Sequence, residues 1–454
     1  MTPRSDKMEP TIFPERGTTR HFLFNPPATA SDKGDSPIDS DDSIEAVRQS
    51  FPQAHCNDEL LQHAMERVQP VTRFGALILR MDGMAKTEIS GEGDENRPRI
   101  LDVSRVVDEL CGMENGTWGP VAADSLACFF PGRNDIDTLQ LAKDIQERVH
   151  GLDYGTVSIG VASYPTGDYK KEDVIGNAGK ALTHASFFGA DSAVLFDAVS
   201  LNISGDELYQ KGDVSGAIQE LKTALNLDPG NVNVLNSLGV CYGVEGELTE
   251  ALKVFKAASE LDSKEVMALY NTGYVHSLLK HPEDALRYYQ KAEATGEDVF
   301  EVIFQIGKLY LDQGDLNAAK TYLEKAASLQ SESWIAYLHL GECCEALNMT
   351  DEAVTHYETT VKKNPAEACA LSALGALYDE KSENPEISTL FCEKAVEMSP
   401  QNSLFQFRLG KVYFRQDQPE KALSAFSKAR DLGYPAETEL AKVRERLLQN
   451  DSRS

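Results

Sequence analysis

Two hydrophobic rhythms divide this 454-residue chain. Up to about residue 197, apolar runs of strand length alternate with stretches of helical spacing. Phe74 to Met81, Ser125 to Phe130, Thr156 to Ser163 (closed by Tyr164-Pro165) and Ala193 to Phe196 read as strands. Ile100 to Cys111, Ile136 to Val149 and Asp173 to Phe188 read as helices. This interleaving over residues 71–197 predicts a domain with helices packed on a sheet. Ahead of it, residues 43–70 form a helical lead-in. Leu60, Leu61, Ala64, Met65 and Val68 share one helix face there, with Asn57 as the expected N-cap and Pro70 as the stop. Residues 1–42 are rich in Pro, Ser and Asp, cannot bury enough apolar surface to offset ordering entropy, and are expected to be disordered.

From Ala198 onward only helical spacing remains, and it repeats. Gly205, Gly239, Gly273, Gly307, Gly341 and Gly375 are each 34 residues apart, and Gly410 follows after one inserted residue. Ala217, Ala251, Ala285, Ala319, Ala353 and Ala422 keep the same register. Four residues after each stands a large side chain: Leu221, Phe255, Tyr289, Leu323, Tyr357 or Phe426. Such a period marks hairpins of two helices that cannot bury their apolar faces alone, so that each stacks on the next. The units run 198–231, 232–265, 266–299, 300–333, 334–367, 368–402 and 403–436. The sixth departs at Glu383-Asn384-Pro385-Glu386-Ile387, where its second helix should begin. Residues 437–454 supply a polar capping helix and a tail.

These residues resemble the tetratricopeptide repeat family over about 240 positions. The resemblance implies an all-α solenoid whose first helices line a partner-binding groove. Carried over, the groove residues are Met267, Tyr270, Tyr274 and Ser277; Glu301, Phe304, Lys308 and Leu311; Ile335, Leu338, Glu342 and Glu345; and Leu404, Phe407, Lys411 and Phe414. Such a face is apolar and aromatic with scattered charge. It suits a helix or an extended peptide with hydrophobic anchors better than a terminal carboxylate.

Charge narrows the partners. The net charge is −28 and no region is basic, which argues against a phosphate-tracking nucleic-acid surface and against an anionic membrane. No run of about 18 apolar residues could span a bilayer. Met1 to Gly17 lacks the apolar core of a secretory signal, so a cytoplasmic location is expected. The eight cysteines form no C-x-x-C pair and read as buried small hydrophobes, and the histidines show no ligand spacing, so neither metal nor cofactor is expected.

A second resemblance lies in residues 71–197. Val157-Ser158-Ile159-Gly160-Val161-Ala162-Ser163-Tyr164-Pro165 and Ala181-Leu182-Thr183-His184-Ala185-Ser186-Phe187-Phe188-Gly189-Ala190-Asp191 are similar to two blocks of the GGDEF family, the diguanylate cyclases. This implies a ferredoxin-like βααββαβ core of nucleotide-cyclase type, in an α+β domain before the all-α solenoid. The family's signature falls on Ala122-Ala123-Asp124-Ser125-Leu126. Its metal ligands fall on Arg80 and Ser125, and its phosphate-gripping residues on Ser186 and Ala190, while Asp82 and Asp124 retain acids. A guanidinium and a hydroxyl in place of two carboxylates cannot hold the cations of phosphoryl transfer. The expected protein is therefore a bacterial, non-catalytic scaffold or adaptor that binds a protein or peptide in its repeat groove. The cyclase-like domain would serve as a homodimer contact or pair with an active cyclase. The alternative is a cyclase, or a sensor that binds GTP or cyclic di-GMP.

Overall fold

The computed structural model describes residues 41–83, 96–152, 155–382 and 384–451. It divides into two compact units, Met1–Val275 and His276–Ser454. The expectation of disorder in residues 1–42 lies almost wholly outside the described residues; the last two belong to a helix.

In the first unit the order is α1 (Asp41–Ser50), α2 (Asn57–Val68), β1 (Phe74–Met81), α3 (Asn96–Met113), β2 (Thr117–Ala122), β3 (Ser125–Pro131), α4 (Asp135–His150), β4 (Val157–Tyr164), α5 (Val174–Ala185) and β5 (Ala193–Leu195). The strands form one five-stranded sheet in the order β2-β3-β1-β4-β5. β1 is antiparallel to both β3 and β4, β2 and β3 form a hairpin, and β5 runs parallel to β4. This small mixed sheet agrees with the alternating pattern. Cys56, not Asn57, holds the N-cap of α2 and makes no side-chain cap, because the helix begins one residue earlier than capping chemistry predicts. β2 was not anticipated, since Gly119 and Pro120 interrupt Thr-Trp-Gly-Pro-Val-Ala and Pro ordinarily demotes a strand. It lies at the sheet edge and shifts register beside Pro120, where a missing ladder donor does least harm.

Alternation sorts the two faces of the sheet. Leu77, Leu79, Leu126, Cys128, Phe130, Val157, Ile159 and Val161 join Ile100, Val107, Leu141 and Ile145 in one core with α3 and α4. α5 packs on β1 and β4. Gly160 of β4 allows that approach, because a Cβ there would stand 2.0 Å from the Ala178 carbonyl oxygen.

Helical hairpins follow: α6 (Ala198–Gln210), α7 (Val214–Leu227), α8 (Val232–Val244), α9 (Leu248–Leu261) and α10 (Val266–Leu278), within which the first unit ends. The second unit continues with α11 (Pro282–Glu293), α12 (Phe300–Gln313), α13 (Leu316–Leu329), α14 (Trp334–Ala346), α15 (Thr350–Lys363), α16 (Ala368–Glu380), α17 (Pro385–Met398), α18 (Ser403–Arg415), α19 (Pro419–Asp431) and α20 (Glu437–Asp451). Five of the periodic glycines face the periodic large residue of the partner helix: Gly205 faces Leu221, Gly239 Phe255, Gly307 Leu323, Gly341 Tyr357 and Gly410 Phe426. The periodic alanines and large residues are essentially inaccessible to solvent. In the sixth repeat Ser388, Cys392 and Ala395 take those positions, all buried, with Gly375 against Cys392. The inserted residue had hidden that register in the sequence. The turn inside every repeat contains a left-handed residue: Gly212, Gly246, Lys280, Gly314, Asn348, Ser382 and Asp417, with Asn384 a second in the sixth. α20 stacks on α19 and buries Leu440 and Val443.

Candidate functional site

In the second unit the first helices of successive hairpins approach one another: α12 touches α14, α14 touches α16 and α16 touches α18. Among the described residues no pair of second helices comes as close. The first helices therefore form the inner side of this stack, as expected for a groove.

Several residues expected to line that groove are buried instead. Met267, Tyr270, Phe304 and Leu338 are 9%, 1%, 3% and 7% exposed, so they are packing residues in the free protein. Tyr270 stacks with Tyr274, and Phe304 packs between Phe300 of its own helix and His339 of α14. Phe407 lies against Phe426 and Tyr434, 5.5 and 4.4 Å between ring centroids, and Phe414 packs on the same core. Leu311 and Ile335 pack on the core shared by α12, α13 and α14. Leu311, Ile335, Phe407 and Phe414 are only partly buried by these contacts, and Tyr274, Lys308, Leu404 and Lys411 likewise keep partial exposure. A large side chain at the fifth position of a first helix reaches the neighbouring hairpin, and the same burial that fills the stack removes it from the groove.

Charge also occupies the inner side. Arg408 of α18 reaches past α16 to donate to Glu345 of α14 at 2.8 Å, and Tyr357 donates its hydroxyl to the same carboxylate at 2.9 Å. Lys411 pairs with Glu380 at 3.0 Å, and Arg415 with Asp379 at 2.8 Å. His339 meets Glu342 at 2.7 Å. Cys369, Ser372 and Ala376 of α16, between α14 and α18, are all small. Burial first, and the neighbouring Glu345 second, push the Tyr357 phenol far above its ordinary pKa, so it remains a donor. Burial raises the Asp379 carboxyl, while Arg415 opposes that shift. The Arg408 guanidinium is 16% exposed, so its pair is less screened than a surface ion pair. Met267, Tyr270, Phe304 and Leu338 are thus packing residues, and ion pairs stand beside the partly exposed members of the expected groove set. Arg408 and Arg415 were missed because they lie one position outside the carried-over set.

In the first unit the sheet brings together the end positions singled out from sequence. Arg80 is opposite Ser125 on one side and Ser158 on the other, and Ala122 is opposite Ser125 across the β2–β3 hairpin. Ala123 and Asp124 form the turn, Leu126 is buried in the sheet core, and Ser125 donates to Asp124 at 2.7 Å. Asp82 accepts from Thr156 Oγ1 at 2.8 Å, Ser158 Oγ at 2.7 Å and the Asp191 backbone at 2.8 Å. It ties β1 to β4 and to the segment before β5, a structural role. Ser186 donates to the Thr183 carbonyl at 2.6 Å, and Ala190 is exposed.

Six of the eight cysteines are buried, Cys56 is half-buried and Cys369 is exposed. Burial pushes the thiols of Cys241 and Cys392 up to about 12, which keeps them protonated and unreactive. Spacing along the chain showed no ligand set, yet folding gathers two: His276, His281 and Asp284, and Cys344, Glu352 and His356. Linear spacing misses them because each set joins two helices. Among the described residues, no helix is long and apolar enough to cross a membrane.

Known proteins bear on the helical part. A family model described as TPR repeat matches residues 205–243, and models described as tetratricopeptide repeat match 244–298, 304–368 and 405–436. A stretch of 105 residues, 23% of this chain, is 28% identical to the general transcriptional corepressor trfA of Dictyostelium discoideum, and spans only 7% of that protein. Among solved structures, YrrB, described as a TPR protein with an unusual peptide-binding site, is 23% identical, covering 41% of this chain and 95% of its own, with a TM-score of 0.37. PilF of Pseudomonas aeruginosa is 20% identical over 46% and 95%, with a TM-score of 0.43. A MamA structure is 29% identical over 36% and 96%, with a TM-score of 0.34. With glycine seated against large residue in hairpin after hairpin, the family-model matches establish that the chain carries tetratricopeptide repeats, a module that typically mediates protein–protein interaction.

Proposed function

We propose that this protein is a non-catalytic scaffold that binds a protein or peptide on the inner face of its second-unit repeats. The ion-pair ladder from α14 through α16 to α18 carries this reading. Arg408, Lys411 and Arg415 face Glu345, Asp379 and Glu380 across three first helices, a pattern that a mixed-charge partner can exchange pair for pair. Partly exposed Leu404 adds apolar contact. Such complementarity sets specificity and association rate more than raw affinity. The test compares full-length protein with a Lys411→Glu, Arg415→Glu variant as bait in native extract. A partner that binds the wild type should be lost from the variant and weaken with salt. Equal recovery from both would remove the ladder from the binding surface.

We further propose that the sheet domain derives from a nucleotide cyclase and has lost its chemistry. The support is that Arg80, Asp124 and Ser125 meet at one sheet end, where a guanidinium and a hydroxyl stand in place of metal-binding acids. Asp82, the acid retained beside them, is consumed by three structural hydrogen bonds. Such a domain serves by contact, with a second copy or with an active cyclase. Incubation with GTP and magnesium should give no cyclic di-GMP, and calorimetry with GTP no heat. Product formation would reverse this assignment.

A further inference from the structure

The turn at residues 276–284 takes no part in the ion-paired face. His276 in the last turn of α10, His281 at the N-cap of α11 and Asp284 in its first turn each place one ligand atom within 4.8 Å of the other two. The backbone dictates this proximity. Lys280 adopts a left-handed φ of 61°, and the His281 amide donates to the His276 carbonyl at 2.9 Å, closing the turn and drawing the two histidines together. One helical turn on, Arg287 holds Asp284 Oδ1 at 2.8 Å. The other oxygen, Oδ2, is turned to His276 Nδ1 at 4.0 Å. The His276 ring is 5% exposed and stacks on Tyr288, with 5.5 Å between centroids, forming a dry wall. His281 is exposed and leaves the opposite side open to solvent.

We propose that His276, His281 and Asp284 bind a divalent transition-metal ion of the zinc and cobalt class. Two neutral imidazoles and one carboxylate are a donor set that suits such borderline ions, with the remaining position left to water. Bonds of about 2.0–2.1 Å place tetrahedral ligands about 3.4 Å apart, so the Asp284–His276 gap closes by side-chain rotation alone. Arg287 fixes the carboxylate from behind, as outer-shell partners of metal ligands do. The other three-residue set is a poorer candidate: the Lys320 ammonium stands 3.1 Å from Glu352 and 2.8 Å from Glu324, putting positive charge where an ion would sit.

The experiment uses tag-free full-length protein titrated with Zn²⁺ by calorimetry and with Co²⁺ by visible absorption. One equivalent should bind, with a cobalt spectrum of nitrogen and oxygen ligation and no thiolate charge-transfer band. His281→Ala and Asp284→Ala should each weaken binding by about tenfold or more. Both positions retain solvent exposure, so the variants should fold, and circular dichroism checks that. Cys344→Ser should leave binding unchanged. Zinc should raise the melting temperature of the wild type and not that of His281→Ala. No stoichiometric binding, undiminished binding in His281→Ala, or a thiolate band lost in Cys344→Ser would each overturn the site.

Discussion

Gly160 in β4 and Gly205 in α6 both lie beneath a helix, but different atoms face them. A Cβ on Gly160 would stand 2.0 Å from the Ala178 carbonyl oxygen and 2.2 Å from the Leu182 nitrogen, both backbone atoms of α5. A Cβ on Gly205 would meet the Leu221 side chain at 3.0 and 3.1 Å, carbon atoms that can rotate away. At Gly160 backbone packs on backbone, whereas at Gly205, Gly239, Gly341 and Gly410 the nearest atoms belong to a side chain packed into a glycine notch. The first kind of contact fixes one geometry. The second tolerates Leu, Phe or Tyr opposite the glycine; in the sixth repeat, with the smaller Cys392, the Ser388 carbonyl also stands 2.8 Å from a Cβ built on Gly375.

The largest consequence falls on the sheet. Gly160→Ala should cost about 3 kcal/mol or more, because overpacking that only a shift of the whole of α5 can relieve lies at the top of the usual range. Hydrogen exchange of the β4 and α5 amides reads this directly. A cost below about 1 kcal/mol would mean that α5 moves freely, and the contrast with the repeats would fail.

Asp82 sharpens the same contrast chemically. Asp82→Ala removes three hydrogen bonds and leaves the Asp191 amide and two hydroxyls without their acceptor, a loss of about 2–3 kcal/mol. Asp82→Asn should cost under about 1 kcal/mol, since its carbonyl can keep the Thr156 and Asp191 donors while the Ser158 hydroxyl turns to accept. Equal destabilisation by both variants in thermal melts would show that the negative charge is what matters there.

The two regions also differed in how far their residues disclosed them. The repeats were legible to single positions, because Gly239 and Phe255 recur with a period that only stacked hairpins impose. β1, α4 and β4 were legible because their apolar spacing reports directly on burial. β2 was not, since an edge strand with Gly119 and Pro120 lacks that pattern. Which residues share the inner helix face was legible, but not which of them the packing covers. Position within a helix says which face a residue takes, but whether Tyr270 or Phe304 is covered depends on the neighbouring hairpin, which no local pattern records. The Arg408–Glu345 pair spans 63 residues and two hairpins, beyond the reach of any spacing rule.

Within the repeats the contrast becomes a graded series. Gly239→Ala sets a Cβ 2.4 Å from the Phe255 ring, which is stiffer than a leucine and wholly buried. Overpacking of about 1–3 kcal/mol is offset by about 0.5–1 kcal/mol from replacing a helical glycine, for a net cost of about 1–2 kcal/mol. Gly205→Ala should be near neutral, because Leu221 yields and the helix-propensity gain remains. Urea midpoints of the two variants order them, and a Gly205→Ala cost equal to that of Gly239→Ala would show that the notch is as rigid as the sheet.

The smallest effect is a gain at the turn that every repeat shares. Lys280 holds a left-handed φ of 61° where the first, second and fourth repeats have Gly212, Gly246 and Gly314. A lysine pays for its Cβ in that region by about 1 kcal/mol, part of which glycine returns through its looser unfolded chain. Lys280→Gly should therefore stabilise the protein by about 0.5 kcal/mol, raising its melting temperature by about a degree. The side chain is exposed, so no packing is lost to mask the gain. Gly314→Ala, at φ 82° with open space around it, is the mirror experiment and should lose about 1 kcal/mol for the same backbone reason. Opposite signs at these two positions would place the restraint of the repeats in their turns as well as in their notches; a loss at both would mean that Lys280 is held by contacts beyond its backbone.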